Sequence, residues 1–404
     1  MKRSPILRHA VTGGTGIYRE QGSSSHSSLL DSADAALLSQ FRPQTVNIVL
    51  PGSTTCPDLH LTSATYIPST SQMVTASLHG HTGVSALHDC KWDWSEPNFE
   101  IPQGYGLAAF HSSITTVSVA SFQDGVRVVA ASSKSTSMAK LFFSTIPSPG
   151  AEDSSGFQPA GVYWNVGCAD SSRIIAKMQP ISGVTAVSLG DRISTVDQYG
   201  SFTGCNEYEY DNQEYRVGLD WLTNNIVAFE SNSYSDNHCI NLWDVRTDKG
   251  SVTRFKSKGR ITGLINPHPV AANGHTDRHQ VLASTNHRIN VYDTRMPHST
   301  NKLDLPLLSF QHVHQGPELD FTTDGKNLIA AVDRDNVVQI FSMRTGRKRE
   351  SLIAPQLKSS FTGGQMMKKL QWYDDTQGGS TLHACVGNSV VRWSWGGSRN
   401  DDNG

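Results

Sequence analysis

The stretch that decides the fold lies at residues 239–246 and reads CINLWDVR. It has the form of a short buried strand that ends in an aromatic residue followed by an aspartate, with an arginine two positions beyond the aspartate. The same form returns at residues 288–295, which read RINVYDTR. Two such copies indicate an internal repeat, and the period of a repeat sets the architecture of the whole chain.

Strand ends that carry an aromatic or apolar residue recur at a nearly constant interval. Successive intervals are 50, 54, 47, 49, 49 and 52 residues, between strand ends at Trp92, Phe142, Val196, Trp243, Tyr292, Phe341 and Trp393. Each repeat has room for about four strands, and few segments show the apolar period of a helix. Small sheets of this kind bury their faces by packing side by side around an axis. The sequence therefore predicts an all-β fold, a seven-bladed β-propeller.

Aromatic residues at strand ends suit the core between neighbouring blades. We interpret four of them in this way: Trp243, Tyr292, Phe341 and Trp393. The last repeat lacks a fourth strand, because only residues 396–404 follow its final apolar run. We expect residues 45–50 to supply that strand and to close the ring.

This interpretation gives a domain layout with one folded unit. Residues 1–44 are rich in Ser, Gly and Arg and are predicted to be a disordered tail, with a targeting signal as the alternative. Residues 45–396 form the propeller, and residues 397–404 form a C-terminal tail.

Composition disfavours several classes of protein. The chain of 404 residues has a formal net charge of −2, which gives no general attraction to nucleic acid or to an anionic membrane. Its six cysteines are scattered without a C-x-x-C pair, which argues against a disulfide framework and suits the nucleus or the cytoplasm. No apolar run reaches the roughly 18–20 residues needed to cross a bilayer.

Two further groups of polar residues have an ordinary explanation. Residues 344–349, RTGRKR, are the one dense basic run, and we interpret them as a solvated turn, with phosphate or acidic-peptide binding as the alternative. Six histidines surround the fifth repeat without a cysteine or acidic residue at metal-ligand spacing: His268, His275, His279, His287, His312 and His314. We therefore expect no metal site and no cofactor.

At residues 242–244, Leu-Trp-Asp, the chain resembles the WD-repeat β-propellers, and the resemblance covers most of the chain. Trp92-Asp93 is a second copy of the Trp-Asp pair, and Tyr292-Asp293 is a common variant of it. The resemblance implies the same propeller fold that the period predicts.

The same family carries an aspartate in the turn between the second and third strands of a blade. Asp335, six residues before Phe341, matches it. Asn237 and Asn286 stand at the equivalent offset in the two preceding repeats, where the resemblance implies a weaker hydrogen-bond network.

The more specific resemblance lies in two Asp-x-Arg boxes in consecutive repeats, Asp244 with Arg246 and Asp293 with Arg295. Paired boxes resemble those of substrate receptors of the cullin-4-type ubiquitin ligase, and the overall pattern looks most like cullin-4-associated factors of the WD-repeat-21 type. The resemblance implies that both arginines lie on one rim and contact the ligase adaptor, the large damaged-DNA-binding subunit. An arginine here can instead pair with its own aspartate, or do both, because its planar fork suits carboxylates in either setting.

The resemblance thus implies a non-enzymatic protein-interaction scaffold, a substrate receptor whose partners are the adaptor and a client protein. The alternative is a general WD-repeat scaffold in a chromatin or RNA-processing complex. A propeller enzyme or sugar-binding module would need acids or a metal on the axis, and nothing in the sequence indicates them. We expect a monomeric propeller within a complex, with no catalytic residue, no small-molecule substrate, and no nucleic-acid or membrane partner.

Overall fold

The computed structural model describes most of the strands and part of the loops. The described residues are 42–49, 59–79, 85–92, 94, 98–100, 106–110, 112–123, 125–132, 138–147, 162–167, 174–189, 192–197, 201–209, 214–215, 218–233, 238–247, 253–257, 259–267, 279–285, 287–295, 305–312, 320–325, 327–333, 335–343, 346, 348–353, 367–374 and 380–395. Every regular element in these residues is a β-strand.

The strands form seven small sheets, one for each predicted blade. Chain order begins with β1 (Arg42–Val49), outside the first blade. The blades follow: blade 1 with β2 (Leu59–Ile67), β3 (Gln72–His79), β4 (Ser85–Lys91) and β6 (Gly106–Phe110), β5 (Asn98–Glu100) lying between the last two in sequence; blade 2 with β7 (Ile114–Phe122), β8 (Gly125–Ser132), β9 (Met138–Pro147) and β10 (Val162–Gly167); blade 3 with β11 (Ile175–Met178), β12 (Thr185–Ser188), β13 (Arg192–Val196) and β14 (Phe202–Glu209).

The remaining blades continue the pattern. They are blade 4 with β15 (Glu214–Tyr215), β16 (Leu219–Trp221), β17 (Ile226–Ser233), β18 (His238–Asp244) and β19 (Thr253–Ser257); blade 5 with β20 (Ile261–Ile265), β21 (Gln280–Thr285), β22 (Arg288–Asp293) and β23 (Leu308–Gln311); blade 6 with β24 (Phe321–Thr323), β25 (Leu328–Val332), β26 (Val337–Ser342) and β27 (Lys348–Ile353); and blade 7 with β28 (Met367–Asp374), β29 (Ser380–Val386) and β30 (Ser389–Trp395).

The all-β seven-bladed propeller is thereby confirmed. Within each blade consecutive strands pair antiparallel, so the first and third strands run in the same direction; in blade 4 both β15 and β16 pair with β17. All seven strand ends that set the sequence period fall on the third strand of a blade or, for Trp92, directly after it. Val196, the least distinctive of them, is fully buried at the end of β13.

Large side chains of the third strands fill the space between neighbouring blades. Trp243 packs with side chains of blades 3 and 4, and Tyr292 lies in a cluster shared by blades 4 and 5. Phe341 and Trp393 occupy the equivalent places between blades 5 and 6 and between blades 6 and 7. None of the four exposes more than 3% of its surface. Each blade is therefore held by the apolar faces of its two neighbours rather than by a core of its own.

Blades approach one another most closely near the axis, where glycine is needed. A Cβ on Gly218 of blade 4 would lie 2.7 Å from the backbone nitrogen of Leu264 in blade 5. A Cβ on Gly263 of blade 5 would lie 2.7 Å from Cε1 of Phe321 in blade 6. Any side chain at either position would push two innermost strands apart.

The ring is closed by a strand from before the first blade. β1 pairs antiparallel with β30, with Thr45 opposite Val391, and so becomes the fourth strand of blade 7. The expected closing strand at 45–50 overlaps this element, which begins three residues earlier. β5 then adds a short parallel strand to the outer side of β1. The two tails, 1–41 and 397–404, lie outside the described residues, so the predicted domain bounds stay a prediction.

The seam between blades 7 and 1 carries many polar and aromatic contacts. Gln371 of β28 accepts a hydrogen bond from the backbone N–H of Tyr66 and donates one to its carbonyl. Val46 of β1 is fully buried against Trp92 and Val390. The seam thus combines backbone pairing of β1 with β30, side-chain hydrogen bonds between blades 7 and 1, and apolar packing around Val46.

Two aspartates lie at the turn between the second and third strands in blade 6. Asp335, which the sequence indicates, lies in this turn and is exposed, and its structural role stays a prediction. Asp333 accepts hydrogen bonds from the backbone N–H groups of Asp335 and Val337 and from the side chain of Gln339. Asp333 is closer to the end of β25, so its oxygens reach the amides of the turn. Asn237, Asn286 and Asp93 lie outside the described residues.

Within the described part of the chain, no helix is long and apolar enough to span a membrane.

Replacing Val46 with Asp should unfold the ring at lower temperature. A carboxylate at this buried position of β1 has no described cation to pair with, and we expect a loss of about 3 kcal/mol or more in the free energy of unfolding. Thermal unfolding followed by circular dichroism measures it. Thr45→Asp, on the half-exposed side of the same strand, is the matched control; equal melting temperatures for the two variants would contradict closure through β1.

The same seam contains a histidine that burial keeps neutral. Nε2 of His383 lies 3.0 Å from the carbonyl oxygen of Ala64, so the neutral ring carries its proton on Nε2 and donates it across the seam. Nδ1 is buried and has no hydrogen-bond partner in the part of the chain that the structure describes. Burial lowers the pKa of His383 to about 4, because a charged ring would bury a second N–H with nothing to accept it. Burial also lowers the pKa of His312.

The free energy of unfolding should therefore decrease as the pH falls from about 6.5 to about 4. The unfolded chain binds a proton at His383 near pH 6.5 but the folded chain only near 4, so the free energy of unfolding decreases as the pH drops between these values. The contribution of His383 is on the order of a few kcal/mol. His383→Gln, which retains an N–H donor but does not titrate, should flatten this slope in urea unfolding measured from pH 7 to 4. His60→Gln, at an exposed histidine, is the control, and a slope that His383→Gln leaves unchanged would show that the pH dependence arises elsewhere.

Candidate protein-interaction sites

The two Asp-x-Arg boxes form the same turn in neighbouring blades. Asp244 ends β18 in blade 4, and Asp293 ends β22 in blade 5. One oxygen of each carboxylate accepts the backbone N–H of the arginine two residues later, at 3.0 Å in both turns. This bond fixes the chain just beyond the strand, as a short acidic side chain does in a turn.

Each arginine also makes a two-pronged side-chain contact with its own aspartate. Nε of Arg246 and of Arg295 donates to Oδ1 at 2.9 and 3.0 Å, and Nη2 donates to Oδ2 at 2.6 and 2.7 Å. These hydrogen bonds lower the pKa of Asp244 and Asp293 and raise the pKa of both arginines. The internal pairing that the sequence left as one alternative is therefore present in both boxes.

Internal pairing leaves both arginines exposed. The side chains of Arg246 and Arg295 expose 66% and 63% of their surface, whereas those of Asp244 and Asp293 expose 19% and 10%. The carboxylate holds the Nε–Nη2 edge of each guanidinium, and Nη1 makes no hydrogen bond or ion pair with a described residue. The geometry thus presents two arginines in fixed orientation, which lowers the conformational entropy that a partner must immobilise.

Both arginines follow the ends of third strands, so they lie at the same edge of the propeller. Blade 3 has an aspartate at the equivalent position, Asp197, but Tyr199 stands where the arginine would be. Asp197 accepts the backbone N–H of Ser201 instead. The arginine-bearing form of this turn therefore occurs, within the described residues, only in blades 4 and 5.

A second candidate site, which the sequence did not indicate, is a cavity on the propeller axis. Its volume is about 440 Å³, and the innermost strand of every blade contributes to its wall. Most of its lining residues stand at or near the starts of these strands, as Ile175, Leu219 and Phe321 do. Because first and third strands run in the same direction, the cavity lies towards the edge opposite Arg246 and Arg295. The sequence could not reveal it, since its residues come from seven separate repeats.

Charged groups in the cavity are two lysines and an aspartate, Lys177, Lys369 and Asp320. Asp320 uses both carboxylate oxygens as backbone acceptors, from Phe321 at 3.0 Å and from Leu370 of the next blade at 3.1 Å. Lys369 keeps part of its surface towards the cavity, but protein encloses its ammonium, and burial lowers its pKa.

The histidines near the fifth repeat form no metal site within the described residues, in which no group of three or more His, Cys, Asp or Glu is placed to hold a metal ion. His312 is buried, its Nε2 lies 3.0 Å from the carbonyl oxygen of Val332, and its ring packs against Phe341. His268, His275 and His314 lie outside the described residues, as do Arg344 and Arg347 of the basic run.

Comparisons with known proteins establish the fold and nothing finer. No protein-family model and no curated protein matches the chain. The crystal structure of Chaetomium thermophilum Raptor is similar, with a TM-score of 0.60 and 15% sequence identity, over 94% of this chain and 31% of that one. The chain thus spans about a third of the length of that structure. Similarity extends to 837 chains of solved structures, so the fold does not select one function.

The boxes allow a test of which partner in each pair supports the fold. Arg246→Ala/Arg295→Ala should leave the melting temperature nearly unchanged, because exposed ion pairs contribute little. Asp244→Ala/Asp293→Ala should lower it, because these substitutions also remove the acceptor for a backbone N–H in each turn. Differential scanning calorimetry of the two double variants decides; a larger fall for the arginine variant would contradict the assignment.

Proposed function

We propose that this propeller is a substrate receptor of a cullin-4-type ubiquitin ligase, which docks the adaptor through Arg246 and Arg295. A seven-bladed propeller favours a protein-interaction scaffold, since rigid sheets present loops and turns on two broad faces. The observation that carries the proposal is the repeated geometry of the two boxes: in each, an aspartate orients an arginine that stays largely exposed.

Paired and exposed arginines suit protein docking for a physical reason. Arginine is enriched at protein interfaces, and its remaining N–H groups can bind backbone carbonyls or carboxylates of a partner. Because Asp244 and Asp293 already fix the orientation, docking immobilises less side-chain freedom than a mobile arginine would require. Neighbouring blades place two such groups on one edge, which favours a single partner that contacts both.

The opposite edge is then left for the client protein. The axial cavity lies towards that edge, away from the proposed adaptor contact. This division lets one protein bind two partners at once without a clash. Such a receptor would act in the nucleus or the cytoplasm, with no catalysis of its own.

The test is capture of the purified adaptor by this chain. Arg246→Ala/Arg295→Ala should weaken adaptor affinity by about tenfold or more, since each arginine loses charge-assisted hydrogen bonds. Arg246→Lys/Arg295→Lys should recover little, because an ammonium lacks the planar fork. Biolayer interferometry with immobilised adaptor measures both.

Arg288→Ala is the matched control, because this exposed arginine begins the same strand that ends at Asp293 and so lies at the other edge. It should bind the adaptor like the wild type. Wild-type affinity of the Arg246→Ala/Arg295→Ala variant, with its melting temperature preserved, would refute adaptor docking and leave the general scaffold.

A further inference from the structure

One residue that lines the axial cavity differs from the residues at the equivalent position in three other blades. In blades 1, 2 and 5 the innermost strand has a bulge, an extra residue that interrupts the pairing register. The extra residue is a threonine each time: Thr62, Thr115 and Thr262. In blade 7 the same bulge falls between Lys368 and Leu370, so the extra residue is Lys369.

The threonines turn their hydroxyl groups back into the blade. Thr62 donates to the carbonyl oxygen of Ala76 at 3.3 Å. The hydroxyl of Thr115 lies 3.1 Å from the carbonyl oxygen of Ala131 and 2.6 Å from that of Ile174 in the next blade. The hydroxyl of Thr262 lies 2.9 Å from that of Ser284. In these blades the bulge residue thus satisfies polar groups of the second strand or of the next blade, which is a structural role.

Lys369 does not copy this role. Its ammonium has no hydrogen bond or ion pair with any described residue. Its backbone φ is 47°, a left-handed conformation that non-glycine residues seldom adopt. The side chain therefore reaches the cavity from a backbone position that glycine would occupy with less strain.

A second lysine enters from the far side of the ring. Lys177 belongs to the innermost strand of blade 3, three blades from blade 7 in one direction and four in the other. It lines the same cavity and likewise makes no ion pair with a described residue. Two lysines from well-separated blades thus line one cavity.

The negative charge on this wall only partly offsets the two lysines. Asp320 is near Lys369 and favours its charged form, but both of its oxygens are engaged by backbone N–H groups. The charge of Asp220 has a weaker effect on Lys369. Both of its oxygens also accept backbone N–H groups, from Asn266 at 2.8 Å and from Trp221 at 3.0 Å. Asp220 is also absent from the residues that line the cavity. With both lysines protonated, the lining carries two positive charges and one negative charge.

We infer that the axial cavity binds a carboxylate group, held between Lys369 and Lys177. One negative charge balances the excess of one positive charge in the lining, whereas a phosphate would bring nearly two. Hydroxyl groups on the wall supply further donors, among them that of Ser63, which has no hydrogen-bond partner among the described residues. The cavity is large enough for an acidic side chain with its neighbouring backbone, or for a small free acid.

The inference adds to the proposed function the chemistry by which a client would be recognised, but it does not depend on adaptor docking. The two sites lie at opposite edges of the ring. Arg246→Ala/Arg295→Ala should therefore bind the carboxylate like the wild type, so failure of one proposal leaves the other testable.

Isothermal titration of the full chain tests the site with four probes. They are the capped peptide acetyl-Gly-Glu-Gly-amide, the same peptide with Gln in place of Glu, glutarate and inorganic phosphate. We expect the Glu peptide or glutarate to bind, and the Gln peptide to bind at least about tenfold more weakly, because it cannot form charge-assisted bonds. Binding of the peptide alone assigns the carboxylate to a polypeptide, and binding of glutarate alone assigns it to a small acid.

Lys369→Gln and Lys177→Gln should each weaken carboxylate binding by about tenfold or more. Lys91→Gln removes an exposed lysine outside the cavity and should have no effect. Circular dichroism of each variant confirms folding, and if Lys369→Gln does not fold, Lys177→Gln decides alone. Equal affinity for the Glu and Gln peptides, tighter binding of phosphate than of either carboxylate, no binding by the folded wild type, or unchanged affinity in a folded lysine variant would each overturn the inference.

Discussion

Apolar contact between neighbouring blades is the constraint on which the rest of this structure depends. A single four-stranded sheet cannot bury both of its faces, and here every blade buries them against the blades on either side. Aromatic side chains at the ends of third strands take part in this contact, and two of them, Trp243 and Trp393, are among the largest fully buried side chains. Since removal of any blade would expose two such faces, the fold requires a complete ring. Both candidate sites are consequences of that ring, one on its rim and the other on its axis.

Much of the architecture could be predicted because the aromatic residues that fill the space between blades are also the most visible feature of the sequence. Their spacing gave the number of blades and located the third strand in each. Details set by single hydrogen bonds were harder to predict. Asp335 fits the family pattern by its distance from Phe341, but the sequence did not indicate that the neighbouring Asp333 accepts backbone N–H groups of the same turn. Spacing along the chain cannot distinguish two aspartates that stand two residues apart.

The two candidate sites differ in how far the sequence could indicate them. Each Asp-x-Arg box is local, so its hydrogen bonds join residues two positions apart and a motif can represent it. The axial cavity joins residues such as Lys177 and Lys369 that are distant in sequence and meet only when the ring closes. No local pattern marks Lys369 as different from a surface lysine of a strand. Its difference from Thr62, Thr115 and Thr262 lies in the pairing register of four separate blades, which the sequence does not display.

The closure of the ring also constrains the order in which the chain can fold during synthesis. β1 emerges from the ribosome before any blade, but its partner β30 is synthesised after all the others. Intermediate blades can stack on one another during synthesis, because each contacts mainly the blade made just before it. β1 must meanwhile remain without its antiparallel partner, with an open edge that promotes association between chains. The pairing of β1 with β30 is therefore the last contact of the ring to form, and the nascent chain is most vulnerable to aggregation just before β30 is made.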